Sequence, residues 1–299
     1  MMAPAYFHLA PSRFFPLLMN RAAVADVSGT IMKWSMLLSL PILSILPAAM
    51  ADPAWKSELS APALGSHPKL APSVLDLQLS WNGAINSGTL RIEFAPADAK
   101  KPDAYVVRSS ASSLGAAALL FPYKSNFWSE LDPATFRPRL FHSTEIDAKE
   151  NTTTSATFFP DRVESSEATK NLKSGATKTS DKVFKFAPVF DIFSTMLYVR
   201  SQKLDTGDHI NLVVCPFKTP YLLRVTVQGR EVHNDRDAIR LTVGMRKINR
   251  DTLELQPYKK LKQDATLWLS DDADRIPIEF RAAAFIGDVR ATLTSIKKS

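Results

Sequence analysis

The chain has 299 residues, 45% of them hydrophobic and 22% charged, with 37 Lys and Arg against 30 Asp and Glu and a formal net charge of +7. That balance belongs to an ordinary globular protein and excludes a disordered, collagenous or coiled-coil chain. A single cysteine excludes an internal disulfide and a cysteine-based structural zinc site, and 10 glycines beside 20 prolines argue against a glycine-loop nucleotide binder.

The first functional signal begins at Met32. Lys33 supplies a basic start, residues 36–46 are a short apolar run, and Ala49-Met50-Ala51 forms an Ala-x-Ala cleavage site. The run is shorter than the roughly 20 residues of a membrane span, and Pro41 interrupts it. Residues 32–51 therefore read as a cleaved signal peptide with Asp52 as the first mature residue; an uncleaved anchor or a buried helix is the competing reading. Residues 1–31 read as a start-site extension upstream of Met32, with an unusually long basic region as the alternative. No cysteine stands directly after the cleavage site, where residue 52 is Asp, so no lipid anchor is expected there. Cleavage removes Arg13, Arg21, Lys33 and Asp26, which takes the net charge from +7 to about +5. Such a charge suits weak attraction to anionic lipid headgroups or cell-wall polymers. Without a dense basic stripe or a stacking-aromatic motif it does not suit nucleic acid.

Residues 52–74 carry Pro53, Pro62, Pro68 and Pro72 and read as an extended lead-in. The hydrophobic period then becomes two. Leu75, Leu77 and Leu79 alternate with polar residues, as do Leu90, Ile92 and Phe94, with turn residues Asn82, Gly83, Asn86 and Gly88 between them. A strand is expected over 103–109, a helix over 111–120, and strands over 126–132, 139–147 and 154–163. Residues 165–182 are polar and without period, and predict a mobile loop. A second helix is expected over 191–200, with Asp191 as its cap and Phe190, Phe193 and Leu197 on one stripe. Cys215 reads as a buried small hydrophobe. Alternation returns in 210–214, 221–227 and 239–245, and shorter strands follow to 293. The expected architecture is mainly β (α+β): one large curved antiparallel sheet or partly open barrel with two short helices, in a single domain over 75–297.

The five histidines lack the spacing of a metal-binding helix. Asp271, Asp272 and Asp274 form the densest acidic group and a weak calcium candidate. The competing reading is a hairpin turn whose carboxylates satisfy local N–H groups, with Arg275 pairing one of them. There is no Gly-x-Ser-x-Gly, no phosphate-binding loop and no dinucleotide fingerprint. No catalytic residue and no cofactor is indicated.

Four blocks carry a resemblance. They are Trp81-Asn82-Gly83-Ala84-Ile85-Asn86-Ser87-Gly88-Thr89-Leu90; Phe136-Arg137-Pro138; Asp191-Ile192-Phe193-Ser194-Thr195-Met196-Leu197-Tyr198-Val199-Arg200; and Trp268-Leu269-Ser270-Asp271-Asp272-Ala273-Asp274-Arg275-Ile276-Pro277-Ile278 followed by Gly287. Together they resemble the bacterial domain-of-unknown-function family numbered 3108 over roughly 75–297. Phe136 departs from that family's leucine, and 165–182 looks like an insertion. The resemblance implies an exported β-rich envelope protein and implies no reaction or ligand. As physical devices, Trp268 is expected to anchor its strand in the core, and Asp191 and Arg200 to complement the helix dipole.

Three functions follow. The first is a non-catalytic envelope protein with a binding or interaction role, towards envelope lipid, cell-wall polymer or another envelope protein. The second is a carrier whose β groove, bordered by Phe190, Phe193 and Leu197, holds a lipid or another hydrophobic ligand. The third, a hydrolase, has no motif behind it.

Overall fold

The computed structural model describes residues 52–67, 71–96, 104–258, 261, 263–284 and 287–298. The expected start-site extension and signal peptide lie outside them.

Among the described residues there are fifteen strands, most of them built on alternating apolar positions. They are β1 Ser73–Trp81, β2 Ile85–Pro96, β3 Tyr105–Ser113, β4 Tyr123–Leu131, β5 Pro138–Asp147, β6 Glu150–Phe158, β7 Val163–Asn171, β8 Thr177–Phe184, β9 His209–Val214, β10 Tyr221–His233, β11 Arg236–Ile248, β12 Leu255–Pro257, β13 Ala265–Ser270, β14 Pro277–Ala284 and β15 Gly287–Lys298. Among the described residues there are two α-helices, α1 Gly115–Leu120 and α2 Ile192–Ser201. All ladders are antiparallel, in the order β8-β7-β6-β5-β4-β3-β2-β1-β15-β14-β13-β11-β10-β9, with β12 beside β11. The chain thus forms one curved antiparallel sheet with two short helices, as its composition and periods predict.

The two ends of the sheet meet without joining. Phe190, downstream of β8, bridges β9: its N–H donates to the Val213 carbonyl at 2.9 Å, and its carbonyl accepts from Cys215 N–H at 2.8 Å. Across the same seam Ser165 Oγ donates to the Phe217 carbonyl at 3.1 Å, and Lys218 pairs with Glu167 at 2.8 Å. The result is a partly open barrel whose two edges are bridged by a few contacts and not joined by a ladder. Each free edge is protected. On β8, Lys178, Asp181 and Lys182 are exposed, a charged edge that discourages further pairing. Along β9, the Ser60 N–H donates to the Asn211 carbonyl at 3.0 Å, and Asn211 N–H donates to Ser60 Oγ at 3.0 Å.

Inside the curl lies a core of Leu75, Leu77, Phe94, Val107, Phe127 and Phe141, filled from α2 by Phe193 and Leu197. A second core joins Ile210, Leu212, Val225, Ile239 and Leu241 to Phe190, Tyr198 and Val199. Strand β9 divides the two and is buried on both faces, with Val213 in one core and Leu212 and Val214 in the other. The apolar run from Leu212 to Cys215 follows from that position.

Four expectations change. The loop expected over 165–182 is the β7–β8 hairpin. Its Thr and Val residues have good strand propensity, and Asn171 Oδ1 organises the turn by accepting from Lys173 and Ser174 N–H at 3.0 and 2.9 Å. Polarity misled because the hairpin buries little beyond Val163, Ser165 and Phe184. The helix expected over 111–120 shrinks to α1: Ala111 is a strand residue, between Leu90 and Ser125. Sheet pairing there overrides the helical preference of small residues, and α1 leaves Leu119 86% exposed. The strand expected over 154–163 is the end of β6, a turn at Pro160 and the start of β7. The extended lead-in contains a 3-10 turn, Ala54–Glu58, and is docked. Trp55 is buried, donates from Nε1 to the Leu253 carbonyl at 2.9 Å and packs on Phe186.

Because Val163 and Phe184 share a core with Phe193 and Leu197, the hairpin should not separate when cut. Trypsin is expected to cleave at exposed Lys173 in native protein, and the two fragments should co-elute on gel filtration until denaturant is added. Fragments that part and remain folded would refute one cooperative domain.

Candidate functional site

Asp191 starts α2. Its Oδ1 accepts from Ser194 N–H at 2.7 Å, and Ser194 Oγ accepts from Asp191 N–H at 2.8 Å, a reciprocal capping box. Ser129 Oγ, from β4, donates to Oδ2. Complete burial raises the Asp191 carboxyl above its ordinary range, against these hydrogen bonds.

At the other end of α2 two buried arginines exchange places. Arg200, 4% exposed, donates from Nε to the Arg275 carbonyl at 2.6 Å and from Nη2 to the Asp274 carbonyl. Arg275, 7% exposed, donates from Nη1 to the Arg200 carbonyl at 3.0 Å and to that of Gln202, and from Nη2 to Lys203 at 2.9 Å. Each guanidinium thus caps the backbone that carries the other. The carbonyls at the end of α2 are the negative pole of the helix dipole, which favours the cation. Burial pushes Arg200 down to about 10, so it stays charged at neutral pH. The lead-in seals this joint. A Cβ on Gly65 would lie 2.1 Å from the Ser201 carbonyl oxygen, so only glycine permits the approach.

The acidic turn between β13 and β14 belongs to the same joint. Asp272 Oδ1 accepts from Ser270 Oγ at 2.7 Å, Asp274 N–H at 2.9 Å and Arg275 N–H at 3.0 Å. Asp271 pairs with Arg230 at 2.8 Å and Asp274 with Lys298. The three carboxylates have separate partners, and among the described residues no group of three potential ligands is placed to hold a metal ion. The Asp272 carboxylate does satisfy turn N–H groups as expected. The expected pairing of Arg275 with an aspartate is corrected: its side chain goes to the carbonyls after α2.

Phe190, Phe193 and Leu197 are 1%, 3% and 1% exposed. They do not share one face. Phe193 and Leu197 enter the first core, whereas Phe190 precedes the helix and enters the second beside Tyr198, with ring centroids 5.3 Å apart. All three side chains are buried in packing contacts with their clusters.

An open cleft lies elsewhere. Its volume is about 410 Å³, and its lining includes Ser80, Asn234, Arg236, Glu279, Arg290 and Thr292. The tip of the β10–β11 hairpin forms one wall. There Asn234 and Asp235 have φ of 49° and 57°, values that suit a tight hairpin turn. Strands β14 and β15 form the other wall, with Glu279 opposite Thr292. Glu279, 4% exposed, accepts from Arg281 at 2.7 Å, Asn234 at 3.2 Å and His233 at 3.3 Å. Burial alone would raise it; the hydrogen bonds, that of Arg281 first, hold it below its ordinary value. His233 stacks on Trp268 at 4.0 Å with the rings 5° from parallel, and Trp268 Nε1 donates to Glu231 at 2.7 Å. Trp268 is buried, yet it packs with Ala238 and Ile278 in a cluster apart from both main cores. The expected core anchor is therefore an anchor for the hairpin tip. No sequence motif marks Arg236, Glu279 or Arg290, because they come from three strands that only the sheet order brings together.

Two outcomes follow from the buried groups. Arg200→Met should lower stability by about 2–4 kcal/mol in urea unfolding, since it strands carbonyls that lack another donor. Arg275→Met should do likewise, and the double variant should cost less than the sum, because each arginine holds the other's backbone. Cys215, 1% exposed, has its thiol pushed up to about 12 by burial. The unfolded thiol ionises near 9.0, so stability should fall as pH rises from there towards 12, by up to about 1.4 kcal/mol per pH unit. Tyr105 and Tyr258, also raised to about 12, add to the loss above pH 10. Cys215→Ala should flatten the part of that decline below pH 10; an unchanged slope would remove the thiol as its source.

The fold is similar to several solved structures. A β-barrel-like protein of domain-of-unknown-function family 1849 from Brucella abortus aligns at 11% identity over 78% of this chain and 99% of its own, with a TM-score of 0.49. A protein regarded as exported, with a YmcC-like fold, from Bacteroides fragilis aligns at 10% identity over 79% of this chain and 100% of its own, TM-score 0.30. A protein regarded as a lipoprotein from Parabacteroides distasonis aligns at 6% identity over 79% and 99%, TM-score 0.29. No curated protein sequence matches. Residues 76–294 match the model of the family described as "Protein of unknown function (DUF3108)", so the span from β1 to β15, with the α2 cap and the arginine joint inside it, makes this chain a member of that family.

Proposed function

We propose that the protein is an exported, non-catalytic component of the bacterial cell envelope with a binding or interaction role, acting from the periplasm or envelope surface. The ordered basic, apolar and Ala-x-Ala segments of 32–51 support export. Among the described residues no helix is long and apolar enough to cross a membrane. The observation that carries the choice of role is the burial of Phe193 and Leu197 at 3% and 1%. Helix α2 occupies the concave side of the sheet, the space an acyl chain would need. Partners are then met on the outer surface, and envelope lipid, cell-wall polymer and envelope protein are the classes to which a basic exported domain is suited.

Protein recovered from its native host should begin at Asp52 and fractionate with the periplasm or envelope. A chain that retains residues 32–51 in the cytoplasm would refute export. Phe193→Ala should cost about 3–5 kcal/mol in thermal or urea unfolding, whether or not extracted envelope lipid is present. A small loss, together with stabilisation by lipid in the wild type that the variant lacks, would replace the interaction role by that of a carrier.

A further inference from the structure

We infer that the cleft between the β10–β11 tip and the β14–β15 ladder is a binding site for a small phosphate monoester, held by Arg236 and Arg290. The cleft, about 410 Å³, falls within the range of small-molecule sites. The Arg236 side chain lines it, and its guanidinium has no hydrogen-bond or ion-pair partner among the described residues. Arg290 is held by Asp288 through Nε at 2.7 Å, which leaves the outer edge of its guanidinium without a carboxylate. That edge leans over Gly83, where a Cβ would lie 2.5 Å from Arg290 Nη1. At φ +70° this turn position favours glycine, and the missing side chain is what gives the guanidinium its place.

The acidic residue of the lining does not cancel these charges. Both Glu279 oxygens already accept donors, Oε1 from Arg281 and Oε2 from Asn234, His233 and Thr292. Two guanidiniums with unspent donors therefore face one cavity, the arrangement that recognises a tetrahedral oxyanion by charge-assisted, paired hydrogen bonds. Ser80 supplies a hydroxyl, and Leu293 a small apolar surface for a short carbon skeleton. The shared chemistry is a phosphate on a small polyol, which a soluble metabolite or a lipid headgroup would both offer. This assignment rests on the cleft and is independent of where the protein is exported.

Glycerol 3-phosphate, titrated calorimetrically into the full mature chain at constant ionic strength, should bind saturably at submillimolar concentration. Arg236→Ala should weaken binding about tenfold or more without changing the melting temperature of the free protein, because Arg236 is exposed and unpaired. Arg236→Lys should restore part of the affinity, as a point charge replaces a bidentate fork. Phosphatidic acid vesicles, compared with phosphatidylcholine vesicles, separate the sources. Arg236-dependent capture of the former assigns a headgroup, and binding of the soluble ester alone assigns a metabolite. Absence of saturable binding to either probe, or binding that Arg236→Ala leaves unchanged, overturns the site.

Discussion

Two buried guanidiniums, each donating to the backbone that carries the other, hold this molecule in register. Arg200 ends α2 and binds the carbonyls of Asp274 and Arg275; Arg275 turns back onto the carbonyls that follow α2. Neither residue spends its charge on a carboxylate. A helix end leaves carbonyls unsatisfied, and burying them without donors would be costly. A cation at that pole answers both problems at once. The joint is also long-range: it ties residue 200 to residue 275, so α2 is fixed to the turn between β13 and β14 rather than only to its sequence neighbours.

That constraint explains how an unclosed sheet can keep its curvature. A closed barrel has no edges, whereas this one has β8 and β9 at its ends. The seam is bridged by Phe190 against Val213 and Cys215, and by Ser165 and Lys218 across to the opposite edge. Helix α2, pinned at its start by Ser129 and at its end by the arginines, fills the interior of the curl with Phe193 and Leu197. Its side chains serve two cores divided by β9, which is why Phe193 and Tyr198, five residues apart, belong to different clusters.

The polar chemistry lies on the other side of the sheet. The β10–β11 hairpin is longer than its neighbours, and its tip lies against β13 and β14 through the His233–Trp268 stack and the hydrogen bonds of Glu279. A hairpin tip held mainly by one aromatic stack and by polar contacts leaves a cleft beside it instead of a packed interface. The arginines at its rim are exposed or half-exposed, where charge retains its reach for a ligand.

By itself, the sequence determined the alternating strands from β1 onward, the cap at Asp191, the burial of Cys215 and the turn chemistry of Asp272, because each depends on period or on contacts within a few residues. Strand existence was legible wherever one face was clearly apolar. It failed at β7 and β8, where Thr and Ser form strands without an apolar stripe, and at 111–113, where pairing with β2 and β4 outweighed local preference. Only the tertiary structure decided that Phe190 leaves the stripe of Phe193 and Leu197, that Arg275 turns away from its neighbouring aspartates, and that Arg236, Glu279 and Arg290 meet. Those outcomes rest on strand order and on which edge of the sheet returns to α2. Such contacts join residues tens to hundreds of positions apart, and no local pattern of charge or hydrophobicity encodes them.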